Sequence, residues 1–522
     1  MEIVQNQAVK VIIQSDQVGI ITNHLEKSEV LSDNGNHAEV LVYWGIEEMQ
    51  HLTKVLGKKV PSPMEKDYPW PGMYTPFHHQ KVTASFLSLH QRAFCFNEAG
   101  TGKTSSVIWA IDYLMSQGLV KRVLVICPLS IMYSAWQADI FKTAMHRTVA
   151  VAYGDADKRK KIINGIYEFV IINYDGVNIV REDISKAGFD LIVVDEANAY
   201  KTVTTKRWRT LAKLITPTTR LWMLTGTPAS QSPVDAYGLA KLVSPANVPK
   251  YLTAWRDKVL YQVTRFKFVP KATSRQDVYD ALQPAIRFEK AQCLDLPPVM
   301  YQTREVPLST QVNKYYNAIK NQMLIEAAGE KISAVNAAAK LTKLLQISGG
   351  AVYTDTRDVV EFDVSPRLNA LMEVLDETEH KVIIFVPYGH TIDLVSKHLT
   401  GEGVTNEIIQ GSVSATERSN IINRFQNTEF PRVLVIQPQA ASHGVTLTAA
   451  DTVVFWSPVM SVETYLQCIA RIDRVGQVNK MTVVHLQGSE VERKMYVMLQ
   501  GKVDSHEKLV DLYKEELGIK NE

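Results

Sequence analysis

Eight residues from Asn97 to Thr104, NEAGTGKT, have the types and spacing of a phosphate-binding loop. They follow a short apolar run and precede a segment with helical apolar spacing. Such a turn directs backbone N–H groups and the positive helix end at a phosphate, a lysine adds charge, and a hydroxyl can bind magnesium. The predicted ligands are Gly100, Thr101, Gly102 and Lys103 for phosphate, and Thr104 for Mg²⁺. The common pattern begins with Gly, so Asn97 gives the looser AxxGxGKT form.

Two adjacent carboxylates end the apolar run Leu191–Asp195, in the sequence LIVVDEAN. Ligands of open α/β sheets bind at the carboxyl ends of the strands. The pattern therefore predicts that Asp195 holds magnesium through water and that Glu196 polarises an attacking water. Adjacent acids after a strand also begin ordinary solvated helices, and the upstream phosphate loop favours the catalytic interpretation.

Short β-branched runs separated by helix-like segments would position these residues. Runs of this kind indicate parallel strands covered by helices on both faces. The first set is Arg92–Phe96, Arg122–Cys127, Phe169–Asn173, Leu191–Asp195 and Leu221–Thr225. The second set is Val382–Val386, Val433–Ile436, Thr452–Trp456 and Thr482–Leu486. The sequence predicts an α/β fold with two parallel-sheet lobes of similar construction.

The rest of the chain is assigned by composition. Prolines at 61, 63, 69 and 71 suggest a boundary, and LVYW at Leu41–Trp44 a strand before it. An Ala- and Lys-rich stretch, Lys331–Gln346, predicts a helix between the lobes. The expected domains are a small accessory element at 1–72, lobe one at 73–245, a mostly helical insertion and connector at 246–365, lobe two at 366–500 and a helical tail at 501–522.

Composition narrows the class of protein. The 522 residues are 46% hydrophobic and 21% charged, and they carry a net charge of only +2. This composition excludes an intrinsically disordered protein. The low net charge excludes a protein that coats a polyanion with uniform positive charge, so any polyanion must bind to a local patch. Four separated cysteines form no CxxC pair, which argues against disulfides or a zinc site. No run approaches the ~18 apolar residues that a membrane helix needs, and no secretion leader is recognised.

Further segments resemble one family when taken in order. They are Phe77–Gln80 (FHHQ), Cys127–Ser130 (CPLS) followed by Trp136, Asn173-Tyr174, DEAN with Lys201, Leu224–Pro228 (LTGTP) and Gln467–Gln477 (QCIARIDRVGQ). With the phosphate loop, these motifs resemble the Swi/Snf-like branch of superfamily 2 helicase-type ATPases, in a compact bacterial or viral form. The last motif is the most specific, and the resemblance covers about Tyr74 to Gln500. It implies two RecA-like lobes that use ATP and Mg²⁺.

By that resemblance, several residues serve the nucleotide. Gln80 would read the adenine edge, since an amide donates and accepts at once. Phe77 would pack near the base, and Gln467 would also contact the nucleotide. Arg471 and Arg474 would act as arginine fingers on the γ-phosphate. Their spacing of three would place them on one face of a helix.

The resemblance also implies coupling and DNA contacts. Thr225 and Thr227 would link the nucleotide state to the other lobe. Small and hydroxylated residues suit sequence-independent phosphate contacts, and ordinary loop chemistry is the alternative explanation. The implied contacts are Pro128, Ser130, Asn173, Tyr174, Gly411, Arg418, Gly444, Thr446 and Leu447. Basic runs at Lys158–Lys161 and at Lys206, Arg207 and Arg209 could add backbone contacts, or be solvated surface.

Two positions depart from the family pattern. Asn198 and Asp473 stand where relatives usually have His, so the coupling of hydrolysis to DNA binding is open. The loop lysine, both carboxylates and both arginines are present.

The expected function is an ATP-driven translocase on double-stranded DNA that remodels protein–DNA complexes or branched DNA. ATP would be hydrolysed in the interlobe cleft. We expect a monomer that acts on duplex DNA, including forked or branched forms, in the cytoplasm of a bacterial or virus-infected cell, or in a eukaryotic nucleus. An RNA-remodelling ATPase of the same superfamily and a non-catalytic DNA-binding adaptor remain the alternatives.

Overall fold

A computed structural model describes residues 1–501 except 58, 227, 230–231, 265–266, 294–296, 328–333, 354–358, 442–444 and 475. The chain divides into two compact units, residues 1–229 with 233–293 and residues 230–232 with 294–522. The predicted tail falls almost wholly beyond the described residues. Within the described part, no helix is both long and apolar enough to span a bilayer.

The first unit opens with a four-stranded antiparallel sheet of order β1-β2-β4-β3. Its strands are β1 (Glu2–Val4), β2 (Ala8–Gln14), β3 (Ser28–Asp33) and β4 (His37–Tyr43). Two helices accompany it, α1 (Val18–Thr22) and α2 (Ile46–Leu56). Alternate residues of β2 and β4 are buried, as expected for a sheet with one covered face. Strand β4 confirms the strand predicted near Leu41.

A seven-stranded parallel sheet forms the body of this unit, in the order β13-β5-β10-β9-β6-β8-β7. Its strands are β5 (Arg92–Cys95), β6 (Val123–Cys127), β7 (Val149–Val151), β8 (Phe169–Asn173), β9 (Leu191–Val194), β10 (Arg220–Leu224) and β13 (Ala285–Ile286). The predicted strands of lobe one are confirmed to within one residue at each end. Strands β7 and β13 were not predicted.

Helices cover both faces of this sheet. They are α3 (Met64–Asp67), α4 (His78–Leu89), α5 (Lys103–Ser116), α6 (Ala138–Thr143), α7 (Ala156–Ile163), α8 (Tyr174–Ile179), α9 (Arg181–Lys186), α10 (Lys206–Leu214), α11 (Ala236–Val243), α12 (Leu252–Val259), α13 (Ser274–Ala281) and α14 (Lys290–Cys293). A small hairpin pairs β11 (Leu260–Thr264) with β12 (Lys267–Pro270).

The proline-rich segment fixes the accessory element to helix α5. The Tyr68 hydroxyl donates to Asp112 Oδ2 at 2.6 Å, and Trp109 Nε1 donates to the Pro71 carbonyl at 3.0 Å. The antiparallel sheet and α5 share one hydrophobic core. The accessory element therefore supports the helix that begins at the phosphate loop.

The second unit contains a six-stranded parallel sheet of order β14-β21-β20-β17-β19-β18. Its strands are β14 (Val299–Glu305), β17 (Lys381–Phe385), β18 (Asn406–Ile409), β19 (Val433–Ile436), β20 (Ala450–Phe455) and β21 (Met481–Gln487), and a separate hairpin pairs β15 (Ala351–Tyr353) with β16 (Val359–Glu361). The helices are α15 (Thr310–Ala327), α16 (Ala334–Gly349), α17 (Ser365–Asp376), α18 (Gly389–Gly401), α19 (Ala415–Asn427), α20 (Pro438–Ala441), α21 (Val462–Ile469) and α22 (Glu490–Gln500). The α/β class with two parallel-sheet lobes is confirmed.

Residues 246–365, predicted as a mostly helical insertion, contribute to both units. Strand β13 extends the first sheet beside β5, and β14 extends the second beside β21. Helix α16 overlaps the predicted helix Lys331–Gln346, whose first three residues are outside the described part. The helical content was foreseen, whereas the two added edge strands were not.

A fully buried ion pair lies beneath the second sheet. Arg367 Nη2 lies 2.8 Å from Glu492 Oε1, and the two side chains are 2% and 0% exposed. Arg367 also donates to the Trp456 carbonyl, while Glu492 accepts from the backbone N–H groups of Gly488 and Ser489. Each charge therefore depends on its partner for compensation.

Arg367→Met should lower the free energy of unfolding by about 3–5 kcal/mol, because it leaves the Glu492 carboxylate buried without its cation. Arg493→Met is the matched control. Arg493 pairs with Glu305 at 2.9 Å with side chains 47% and 57% exposed, so its loss should cost less than about 1 kcal/mol. Urea denaturation of both variants measures the difference, and equal losses would contradict the argument.

Candidate nucleotide-binding site

The phosphate loop joins β5 to α5 through two glycines with left-handed backbone conformations. Gly100 has φ +87° and Gly102 has φ +77°. The conformation of Gly102 disfavours any other residue, and a Cβ there would lie 2.0 Å from Gln80 Nε2, so the Gln80 side chain would have to move. Lys103 is the first residue of α5, so the loop ends at the positive end of a helix of 14 residues. This cradle suits a phosphate group.

Asn97, the residue that departs from the common loop pattern, fixes the loop at its start. It is fully buried, and its Nδ2 donates to Thr83 Oγ1 at 2.8 Å while its Oδ1 accepts from the Phe288 N–H at 3.0 Å. Its carbonyl accepts from Lys103 Nζ at 2.7 Å. Asn97 therefore links the loop to helix α4, to the segment after β13 and to the loop lysine.

Gln80 contacts the phosphate loop, and Phe77 precedes it at the start of α4. Gln80 Oε1 accepts from the Phe77 N–H at 2.9 Å, and Gln80 Nε2 donates to the Thr101 carbonyl at 3.2 Å. Gln80 is buried, and each end of its amide keeps one further hydrogen-bonding capacity. The Phe77 ring is 42% exposed. His79, which the sequence reasoning missed, also contacts the Thr101 carbonyl at 2.8 Å.

Asp195 and Glu196 follow β9, the strand two places from β5 in the sheet. Asp195 Oδ2 accepts from Trp136 Nε1 at 2.9 Å, and its Oδ1 accepts from the Glu196 N–H at the same distance. Burial raises the pKa of Asp195, while the nearby Lys103 charge and these two donors oppose the rise. The two donors thus fix the orientation of the carboxylate, and one of them is Trp136, to which the sequence motif had assigned no role.

Thr225 and Ser130 lie near the loop and β6, in keeping with their motifs. The Thr225 N–H donates to the Cys95 carbonyl at 3.1 Å, and Thr225 is fully buried. Pro128 follows β6 and is buried, while Ser130 is partly exposed. The predicted coupling residue Thr227 lies outside the described residues.

Asn173 and Tyr174 are held by protein partners. Asn173 Oδ1 accepts from Arg159 Nη1 at 3.0 Å. The Tyr174 hydroxyl donates to the Asp195 carbonyl at 2.6 Å and lies 3.2 Å from the Glu196 carbonyl. The predicted DNA-facing segment is therefore in contact with the carboxylate turn, which no spacing in the sequence indicated.

The first basic run has two different faces. Arg159 is only 5% exposed, and it donates to the carbonyls of Ala152 and Gly154 as well as to Asn173. Its role is structural, because its donors are used inside the protein. Lys158, Lys160 and Lys161 are exposed on α7.

In the second unit, Arg471 and Arg474 follow helix α21 instead of continuing it. The helix ends at Ile469, so the predicted shared helix face is wrong. The arginines still converge, because Arg471 Nη1 and Arg474 Nη1 donate to the Val445 carbonyl at 3.1 and 3.2 Å. Arg471 Nε also donates to the carbonyl of Gln467 at 2.6 Å. A turn, and not helical periodicity, brings the two guanidinium groups together.

The other residues of this unit that were predicted to contact DNA fall in two stretches of the sequence, around Gly411 and around Val445. Arg418 donates to the carbonyls of Gln410 and Val413 at 3.4 Å, on either side of Gly411, and burial lowers its pKa. Arg418 therefore shapes the loop that carries Gly411. Thr446 is partly exposed beside the arginine-bound Val445. Gly444 lies outside the described residues.

Comparison with known families matches residues 5–349 to the SNF2-related domain and residues 366–476 to the helicase conserved C-terminal domain. A Mus musculus protein, chromodomain-helicase-DNA-binding protein 1-like, is 27% identical over 420 residues, covering 77% of this chain and 46% of the mouse protein. Protein p41 of Acyrthosiphon pisum secondary endosymbiont phage 1 is 25% identical, with 77% of this chain and 90% of the phage protein covered.

An uncharacterized ATP-dependent helicase of Mycoplasma genitalium is 25% identical over 75% of this chain and 37% of that protein. Among solved structures, the SWI2/SNF2 ATPase core of Sulfolobus solfataricus in complex with dsDNA is 20% identical, with a TM-score of 0.42 over 86% of this chain and 95% of that one. The chain spans less than half the length of the mouse and Mycoplasma proteins and most of the phage protein.

Proposed function

The chain belongs to the SNF2-related family of helicase-type ATPases, and on that premise we propose that it hydrolyses ATP to move along double-stranded DNA. One observation carries the proposal: the Asp195 carboxylate, oriented by Trp136 and its own turn, lies near the loop lysine. This is the arrangement that a phosphate-bound magnesium ion requires.

The residues present fit ATP with Mg²⁺. Gly100 and Gly102 give the loop its left-handed turn, and Lys103 supplies a cation at the start of α5. The Thr104 hydroxyl and the Asp195 carboxylate are oxygen ligands of the kind that Mg²⁺ prefers. When bound, the ion would neutralise charge on the phosphates. Gln80 and Phe77, beside the loop, are assigned to the base.

Hydrolysis is assigned to side chains of both units. Glu196 would polarise the attacking water, and Arg471 and Arg474 would stabilise charge on the transferring phosphoryl group. We assign the reaction to a cleft between the lobes, as the family resemblance implies. Hydrolysis would then require closure, and closure would change how the lobes hold DNA.

Double-stranded DNA is the proposed track. The name of the mouse relative includes DNA binding, and the family is that of helicase-type ATPases. Exposed lysines on α7 and the exposed Lys206 and Arg209 on α10 supply local positive charge on a chain of net charge +2. A local track allows release between cycles, whereas uniform positive charge would not. The protein would displace bound proteins or rearrange branched DNA.

An ATPase assay tests this function with no nucleic acid and with single-stranded, duplex and forked DNA and duplex RNA at several salt concentrations. We expect duplex DNA to stimulate turnover most. Equal rates with and without duplex DNA would overturn the translocase proposal. Stronger stimulation by duplex RNA would favour an RNA-remodelling ATPase, and DNA binding without turnover would favour an adaptor.

The α7 lysines provide a sharper test of the track. Changing Lys158, Lys160 and Lys161 to Glu should reduce the salt slope of duplex binding by about 0.9 for each DNA phosphate that the protein no longer neutralises. Arg159 is kept, because it is buried and structural. Reversing three exposed lysines elsewhere on the unit, Lys54, Lys121 and Lys186, is the control. Binding measured by anisotropy at increasing salt gives the slope, and equal changes in both variants would make the α7 lysines ordinary surface.

A further inference from the structure

Tyr174 connects two parts of the first unit to which the proposed function gives different tasks. It is the first residue of α8, directly after β8, in the segment assigned to the DNA path. Its hydroxyl donates to the Asp195 carbonyl at 2.6 Å and lies 3.2 Å from the Glu196 carbonyl. One side chain thus contacts the turn that carries both carboxylates.

That turn needs support from its surroundings. Glu196 has φ +48°, a left-handed conformation that costs free energy for a residue with a side chain. Such a conformation persists only where neighbouring groups stabilise it, and here the Tyr174 hydroxyl bonds to the peptide groups on either side of the Glu196 Cα. The direction of the Glu196 side chain therefore depends on the position of this hydroxyl.

The Tyr174 ring also faces one basic residue, Arg207. The Arg207 guanidinium carbon lies 4.7 Å from the ring centroid, and Arg207 Nη2 pairs with Asp175 Oδ1 at 3.0 Å. Arg207 is on α10, whose neighbouring Lys206 and Arg209 are exposed. A phosphate bound at this helix would attract Arg207 away from Asp175 and so change its contact with the ring.

We propose that Tyr174 is a positioning residue that transmits duplex binding at α8 and α10 to the catalytic carboxylate Glu196, a role that rests on the proposed function. The path is continuous and short: α10 holds the phosphate backbone, Arg207 contacts the ring, and the hydroxyl contacts the turn. DNA binding and ATP hydrolysis are thereby coupled inside one unit. Either DNA or the nucleotide can change the contacts that Tyr174 makes with Arg207 and with the turn at Glu196.

Tyr174→Phe tests the proposal by removing only the hydroxyl, and the fold offers a matched control in Tyr200→Phe. Tyr200 is buried in the same core with its ring centroid 5.7 Å from that of Tyr174, and its hydroxyl has no hydrogen-bond partner among the residues described. For both full-length variants, kcat and the KM for ATP are measured with and without saturating duplex DNA. Duplex affinity is measured by anisotropy.

We expect Tyr174→Phe to lower the ratio of kcat with duplex to kcat without it by about tenfold, because bound duplex can no longer improve the placement of Glu196 through the hydroxyl, and placement of a catalytic group changes rates by this order or more. KM and duplex affinity should stay within about threefold of wild type, and Tyr200→Phe should leave the ratio unchanged. An unchanged ratio, an equal loss of kcat with and without DNA, or the same effect in Tyr200→Phe would overturn the proposal. Absence of stimulation in the wild-type protein would instead overturn the proposed function itself.

Discussion

Replacing Glu196 by Gln is expected to lower kcat for ATP by about 10²–10⁴, the usual contribution of a general base. The amide has the shape of the carboxylate but cannot take the proton of the attacking water. Nucleotide affinity should change by less than about threefold, because the loop, Lys103 and Asp195 are untouched. Steady-state ATP hydrolysis at saturating ATP measures the first quantity, and equilibrium binding of a fluorescent ATP analogue measures the second.

Glu182→Gln is the control for this substitution. Glu182 lies in the same unit at the start of α9, its side chain is 77% exposed, and its only described ion pair is with the adjacent Arg181 at 3.5 Å. Its loss should leave kcat unchanged. Turnover by the Glu196 variant within tenfold of wild type would remove Glu196 from the water-activating role. A cellular effect that survives the loss of turnover would favour the adaptor.

The core strands were predictable because they are buried on both faces and therefore apolar throughout, as in LIVV of β9 and VLVI of β19. The four edge strands, β7, β13, β14 and β18, were not, and two of them show why. Strand β13 has only two residues, and β14 (VMYQTRE) alternates exposed with partly buried residues, so neither forms an apolar run. Edge strands that join a sheet from a distant part of the sequence are specified by tertiary packing.

The candidate site also combines features that local sequence specifies with features that depend on contacts between distant residues. The residues assigned to phosphate, such as Gly102 and Lys103, lie in a local turn and at a helix start, so their spacing in the sequence was enough to predict that turn. The bonds from Tyr174 and Trp136 to the carboxylate turn span 21 and 59 residues of sequence, and no local pattern encodes them. The helix predicted through Arg471 and Arg474 also failed for a tertiary reason, since the chain leaves α21 at Ile469 and both side chains turn to the Val445 carbonyl.

Because both arginines bond to the Val445 carbonyl, the choice of which one to substitute matters, and Arg474 is the better position at which to test the arginine-finger hypothesis. Arg471 is 3% exposed and bonds to two carbonyls, so its removal would disturb the turn as well as the chemistry. Arg474 is partly exposed. Arg474→Ala should lower kcat by about 10³–10⁵ with a small change in nucleotide affinity, because a finger acts mainly on the transition state.

Two further variants distinguish a specific role of the Arg474 guanidinium from the loss of an ordinary positive charge. Arg474→Lys should recover little of the rate, since an ammonium lacks the planar fork that binds phosphate oxygens in pairs. Arg424→Ala, in the same unit, should leave kcat unchanged, because its side chain is 44% exposed and pairs with Glu407 and Glu417 on the surface. If Arg474→Ala keeps kcat within tenfold of wild type while its melting temperature is unchanged, transition-state charge must be stabilised elsewhere.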